Sequence, residues 1–141
     1  MEVHLATTAS ELEKVGTVLL QLRPQYDMES LVAQIQRQQA EGYQLAYVED
    51  AGRVLCVAGF VVAQKLAWGR HIYIDDLVTD ASYRSTGAGK YLLNWFKDYA
   101  REIGCGQIHL DSGVQRFAAH RFYQREGFAI ASHHFSLTEL N

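Results

Sequence analysis

Arg84-Ser85-Thr86-Gly87-Ala88-Gly89-Lys90 sets two cationic side chains around a closely spaced pair of glycines. That combination suits an anion. A helix that opens at the glycines presents unpaired N–H groups and a partial positive charge in its first turn, and both favour phosphate. Gly87 and Gly89 lack a Cβ, so a phosphate could approach the backbone closely, while Arg84 and Lys90 add fixed charge. Two phosphate-binding patterns are excluded by spacing. A P-loop has four residues between its glycines and Ser or Thr after the lysine; here one residue separates them and Tyr91 follows. The dinucleotide fingerprint needs a third glycine where this chain has Leu92. On residue types alone, a tight strand-to-helix turn with no ligand stays equally open.

The lead-in, Asp75-Asp76-Leu77-Val78-Thr79, reads as a strand, and a later stretch ends Phe122-Tyr123-Gln124-Arg125-Glu126-Gly127-Phe128. Together the two stretches resemble the GNAT superfamily of acyl-CoA-dependent N-acetyltransferases. Its pyrophosphate loop reads Arg or Gln, two residues, Gly, one residue, Gly or Ala, after a strand matched here by Leu77-Val78-Thr79. Ala81 stands where the family often has Pro. The resemblance covers nearly the whole chain and implies acetyl-CoA as cosubstrate, with its acetyl group passed to a nucleophile, usually an amine. Carried over, the thioester carbonyl lies against the backbone of Leu77, Val78 and Thr79. The pyrophosphate lies on the amides of Arg84, Ser85, Thr86, Gly87, Ala88, Gly89 and Lys90. Tyr123 matches a tyrosine placed near the thioester sulfur. Arg116 departs from the family's usual Asn, and either meets a CoA phosphate or is a solvated helix residue.

The residue types fit such a transfer. Attack of an amine on a thioester needs a neutral amine, a polarised carbonyl and a protonated leaving thiolate. Strand N–H groups can stabilise the oxyanion. A phenol with a pKa of about 10 can protonate the thiolate, the role implied for Tyr123; the alternative is an aromatic packed beside Phe122 and Phe128. A carboxylate can take the amine's proton. Asp75 falls where many family members carry a strand carboxylate; the alternative is an ion pair with a nearby cation. On a regular strand Asp75 and Asp76 face opposite ways, and Tyr73 shares a face with Asp75. His109 and Asp111 share a face and are weaker candidates for lining the site. His120 is as well explained structurally as functionally. His133 and His134 face opposite ways on a strand and lack accompanying ligands, so no metal is expected.

Composition narrows the class. The chain has 141 residues, a net charge of −3, a pI near 6.0, 48% hydrophobic and 21% charged residues. It is long enough for one domain, 1–141, with a real core. The charge argues against a nucleic-acid partner bound through a broad basic surface. No apolar run is long enough for a membrane span, and Met1-Glu2-Val3-His4 lacks the basic and apolar regions of a signal peptide. Cys56 and Cys105 lie far apart and read as packed thiols in a reducing cytoplasm.

The elements that must position these residues follow from periodicity and caps. A strand at 2–7 precedes a helix opened by the capping pair Thr8 and Glu11 and stopped at Pro24. Asp27 caps a second helix that ends near Gly42. Residues 43–49 and 53–63 form a hairpin around Asp50-Ala51-Gly52, with Gly59 marking a bulge or a close backbone approach. Strand 71–79, helix 88–103, strand 107–111, helix 114–126 and closing strands 128–132 and 134–137 complete the chain. The predicted fold is α/β, a mixed, mostly antiparallel sheet flanked by helices, in the order β-α-α-β-β-β-α-β-α-β. Expected partners are a small polar amine and, from the resemblance, a second copy docked through the last strands. A protein amine, an oxygen acceptor, a longer acyl group, or a CoA-binding sensor without catalysis are the competing readings.

Overall fold

The structure, a computed structural model, describes all residues from Met1 to Asn141. It divides into two compact units, Met1–Leu110 and Asp111–Asn141.

In the first unit, strand β1 (Glu2–Leu5) leads to helices α1 (Ala9–Leu22) and α2 (Met28–Gln39). Both helices open on capping boxes. Thr8 accepts from the Glu11 amide while Glu11 reaches back, and Asp27 does the same with Ser30; each box satisfies otherwise orphaned N–H groups. Strands β2 (Gln44–Asp50), β3 (Arg53–Lys65) and β4 (Gly69–Thr79) follow as antiparallel neighbours. The β2–β3 turn places Ala51 and Gly52 at φ 50° and 77°, the paired left-handed geometry that matches strand twist. A 3-10 turn (Ala81–Tyr83) and helix α3 (Ala88–Glu102) then lead to β5 (Gln107–Leu110). The sheet order is β1-β2-β3-β4-β5, with only the β4–β5 pair parallel.

Side chains alternate across β3, so the sheet is packed on both faces. On one face Leu12, Val15, Leu19, Leu31 and Ile35 pack against Tyr43, Leu45, Tyr47 and Val57. On the other, fully buried Leu92, Leu93 and Phe96 of α3 cover Phe60, with the two phenyl rings edge to face at 4.9 Å. Cys56 and Cys105 are buried free thiols, as their separation predicts; burial pushes Cys56 up to about 11.

The second unit holds helix α4 (Phe117–Arg125). It starts later than the periodicity predicts because residues 113–116 form a turn. The Arg116 amide and the His120 ring both bond to the Gly113 carbonyl, at 3.0 and 2.7 Å, which gives His120 a structural task. Beyond Gly127 no helix or strand forms, so the two predicted closing strands, and with them the last β of the predicted order, are absent. Alternation makes a strand only where a ladder partner exists. Here Ile130, Phe135, Leu137 and Leu140 all point to solvent.

Candidate active site

The site is built where β4 outruns its neighbour. The β4–β5 ladder runs from His71↔Gln107 to Ile74↔Leu110 and stops, while β4 continues to Thr79 paired only with β3. From Asp75 onward one edge of β4 therefore has no strand against it, and its alternate N–H and C=O groups face outward. Leu77, Val78 and Thr79, the residues expected to meet a thioester, lie along this edge.

The strand runs directly into the glycine loop. The Asp80 amide bonds to the Leu55 carbonyl at 2.8 Å, the Asp80 carboxylate accepts from Ser82 at 2.8 Å, and Thr86 Oγ1 donates to the Tyr83 carbonyl at 2.7 Å. The Ala81 amide is held by Gln21 of α1 at 3.0 Å. Two residues take left-handed backbone, Ser85 at φ 65° and Gly87 at φ 85°. The second is the reason for a glycine there, and the first stores about 1 kcal/mol or more of strain. The first intrahelical bond of α3 runs from Tyr91 to Gly87, and no side chain caps the helix. The amides of Ala88, Gly89 and Lys90 thus precede the ladder, with no acidic residue in the first turn. Arg84, Ser85, Thr86 and Lys90 are exposed. Amides left open in this way, beside exposed Arg84 and Lys90, are the kind of groups that can receive an anion.

Just before this edge β4 is bulged. Phe60 pairs with Ile74 and Gly59 with Asp76, leaving Asp75 as the extra residue. Tyr73 and Asp76 therefore share a face, because both oppose odd-numbered residues of β3; a regular strand would have joined Tyr73 with Asp75. Asp75 is exposed. Asp76 is held by Arg23 at 2.8 Å and by the Tyr43 hydroxyl at 2.6 Å. Burial, followed by the Asp76 charge, pushes the Tyr43 phenol far above its ordinary range, so it remains a donor. Arg23 and Tyr43 went unnoticed in the sequence; the one signal was Gly59 in mid-strand.

At the start of β4, Trp68, Tyr73 and His109 come together as stacked rings. Trp68 and His109 lie 3.5 Å apart at 8°, and Lys65 Nζ sits 4.1 Å over Trp68. Tyr73 stacks at 6.1 Å from Trp68. Burial, then His71 and Lys65, lower the His109 pKa; its Nε2 lies 2.7 Å from Gln107 Oε1.

The remaining expected residues belong to the second unit. Arg116 occupies the N-cap position of α4, and Tyr123 is 9% exposed, with ring neighbours Phe122 and Phe128 at 5.5 and 6.0 Å. Asp111 pairs with His134 at 3.4 Å. No three His, Cys, Asp or Glu side chains gather as a metal site, and no helix is long and apolar enough to cross a membrane.

The acetyltransferase (GNAT) family matches residues 10–128. The chain belongs to the GNAT acetyltransferase family. It is 38% identical over 133 residues, 92% of both chains, to an uncharacterized N-acetyltransferase, YhdJ, of Bacillus subtilis. It is 33% identical over 74 residues to the streptothricin acetyltransferase of Streptomyces lavendulae, covering 52% of this chain and 39% of that one. Its fold is similar to that of AAC(6')-Iy in complex with the bisubstrate analog CoA-S-monomethyl-acetylneamine. There the TM-score is 0.80 at 14% identity, over 99% of both chains. Membership makes this chain an acetyltransferase of α/β architecture, with a mostly antiparallel sheet flanked by helices.

Proposed function

We propose that this GNAT enzyme transfers the acetyl group of acetyl-CoA to a primary amine of a small polar molecule, by direct attack in a ternary complex. The observation that carries this reading is the unpaired β4 edge, which runs without interruption into an uncapped helix N-terminus. An extended pantetheine arm can add to such an edge as a strand would, with the pyrophosphate on the amides from Arg84 to Lys90. The β4 N–H groups polarise the thioester carbonyl. The neutral amine attacks the carbonyl carbon and Asp75 accepts its proton. The C–S bond then breaks, and Tyr123 protonates the departing thiolate. Two features support Asp75 over Asp76: Asp75 is exposed, and both oxygens of Asp76 are engaged. Arg116 is assigned to a CoA phosphate. The family match spans both compact units, which supports one catalytic domain over 1–141. A small acceptor is favoured by the resemblance to the streptothricin enzyme and by the exposed carboxylate of Asp75, which suits a cationic amine. Buried free thiols fit a cytoplasmic setting. The exposed apolar side chains of residues 130–140 fit a homodimer.

Calorimetry with acetyl-CoA tests the cradle, on the native chain and on Gly87→Glu/Gly89→Glu. Binding by the native chain and its loss in the variant are expected. No binding by folded native protein would refute the proposal. Binding without thiol release across a panel of amines would replace catalysis with a CoA-sensing role.

A further inference from the structure

The bulge ahead of Leu77 is gripped from three sides by groups to which the transfer scheme gives no task. Arg23, the C-cap residue of α1, directs Nε and Nη2 to one oxygen of Asp76, at 2.9 and 2.8 Å. Its Nη2 also donates to the backbone carbonyl of Asp75 at 3.2 Å. Tyr43, at the entry to β2, donates to the other Asp76 oxygen at 2.6 Å. The third side is β3, where Gly59 pairs with Asp76. A Cβ on Gly59 would lie 1.6 Å from the Tyr43 hydroxyl oxygen, so only glycine lets that phenol reach the carboxylate.

The geometry has a specific mechanical result. The Asp75 carbonyl and the Asp76 N–H belong to one rigid peptide plane and point opposite ways. Fixing the carbonyl through Arg23 fixes that N–H, which faces Gly59 of β3, and with it the alternation that turns the Leu77 and Thr79 N–H groups to the open edge. Charge-assisted bonds to both oxygens of Asp76 hold its side chain from the same anchor. A bulge would otherwise be the most adjustable point of the strand, since its extra residue is outside the ladder. The pinned peptide immediately precedes the Leu77–Thr79 edge.

We propose that Arg23, Asp76 and Tyr43 are positioning residues, fixing the bulged peptide so that the outward-facing β4 N–H groups, those of Leu77 and Thr79, are aimed at the thioester carbonyl. This rests on the reading that acetyl-CoA lies along that edge. None of the three touches a reacting atom. Their removal therefore changes how the carbonyl is polarised rather than whether CoA binds, because the pyrophosphate cradle is a separate structure.

The test compares CoA with [1-13C]acetyl-CoA on the native chain, Tyr43→Phe, Arg23→Ala and the double variant. Calorimetry reads affinity, and isotope-edited infrared spectroscopy reads the bound thioester carbonyl stretch. The native chain is expected to lower that stretch relative to free acetyl-CoA. Tyr43→Phe, which removes one hydroxyl, should return it part-way, and the double variant most of the way. CoA affinity should stay within about twofold, since the loop amides are untouched. Full retention of the native shift in the folded double variant would overturn the proposal while leaving the cradle standing. So would native binding with no carbonyl shift. Failure of the native chain to bind CoA would end both this proposal and the functional reading beneath it.

Discussion

Gly59→Ala is a one-carbon change that the structure forbids. The added Cβ would sit 1.6 Å from the Tyr43 hydroxyl oxygen, 2.3 Å from Cζ and 2.8 Å from Cε1. All three are inside contact distance, and Tyr43 is buried at 6% exposure, so the ring has no easy exit. Forcing a displaced ring into a packed core costs about 1–3 kcal/mol. The bond from Tyr43 to the Asp76 carboxylate is lost with it, at about 1.5–3 kcal/mol for a bond to a charged group. The sum is about 2.5–6 kcal/mol, or roughly 8–18 °C in Tm for a chain of this size. Urea unfolding followed by circular dichroism measures it. Tyr43→Phe should not rescue the variant, because the ring carbons still collide. Tyr43→Ala should rescue it. That single change costs about 3–5 kcal/mol through the cavity it leaves, but adding Gly59→Ala to it should cost almost nothing, or stabilise by about 0.5 kcal/mol from reduced chain entropy. The double-mutant cycle should therefore show coupling of about 3 kcal/mol. Additive losses, or a Gly59→Ala protein that melts with the native one, would refute the steric account.

Further outcomes follow from other sites. Gly87→Ala should lose about 1 kcal/mol of stability, because Gly87 sits at φ 85°, and should weaken acetyl-CoA binding in calorimetry; an unchanged affinity would count against a cradle at this turn. Tyr123→Phe should slow thiol release about 100-fold if the phenol is the acid, with acetyl-CoA affinity retained; an unaltered rate would assign the ring to packing. Glu11 is held down to about 2 by the Tyr47 hydroxyl first, and by the Thr7 and Thr8 amides against the opposing effect of burial. Its folded value lies below the ordinary 4.5, so its stabilising effect is present above that pH and fades as pH falls towards 2. Carboxyl NMR titration should show Tyr47→Phe raising the Glu11 midpoint, and an unmoved midpoint would exclude Tyr47 as the main cause. Phe135→Asp/Leu137→Asp should convert a dimer to a monomer in light scattering, whereas a native monomer would leave these exposed side chains without that role.

What was legible in the sequence was local chemistry. Thr8 with Glu11, and Asp27 opening the second helix, are capping signals contained within four residues, and both helices start where those signals stand. The turn at Ala51-Gly52 and the glycine loop are read the same way, because left-handed backbone selects residue types over a short span. Non-local pairing was not legible. The apolar alternation after Gly127 has the period of a strand, yet that period alone does not form one, and Phe135 and Leu137 are exposed. Ser85 shows the converse limit: its left-handed φ comes from the loop around it and not from its own residue type.

Gly59 stands between these cases. A glycine in mid-strand announces a bulge or a close approach, and both are present, but the identity of the approaching group is settled by β2–β3 pairing and the extra residue by β3–β4 pairing. The consequence reaches the candidate chemistry. Regular alternation would set Asp75 beside Tyr73 and send Asp76 to the far face. The bulge instead turns Asp76 towards Arg23 and Tyr43, and leaves Asp75 as the exposed carboxylate of the pair. Two adjacent aspartates thereby acquire different tasks from one irregularity, one in holding the strand and one open to solvent. Single-residue irregularities of this kind are found where strands serve sites. A regular ladder would give both edges of β4 to neighbouring strands, whereas here β4 is held at Asp76 and then runs on to Thr79 with β3 as its one strand partner.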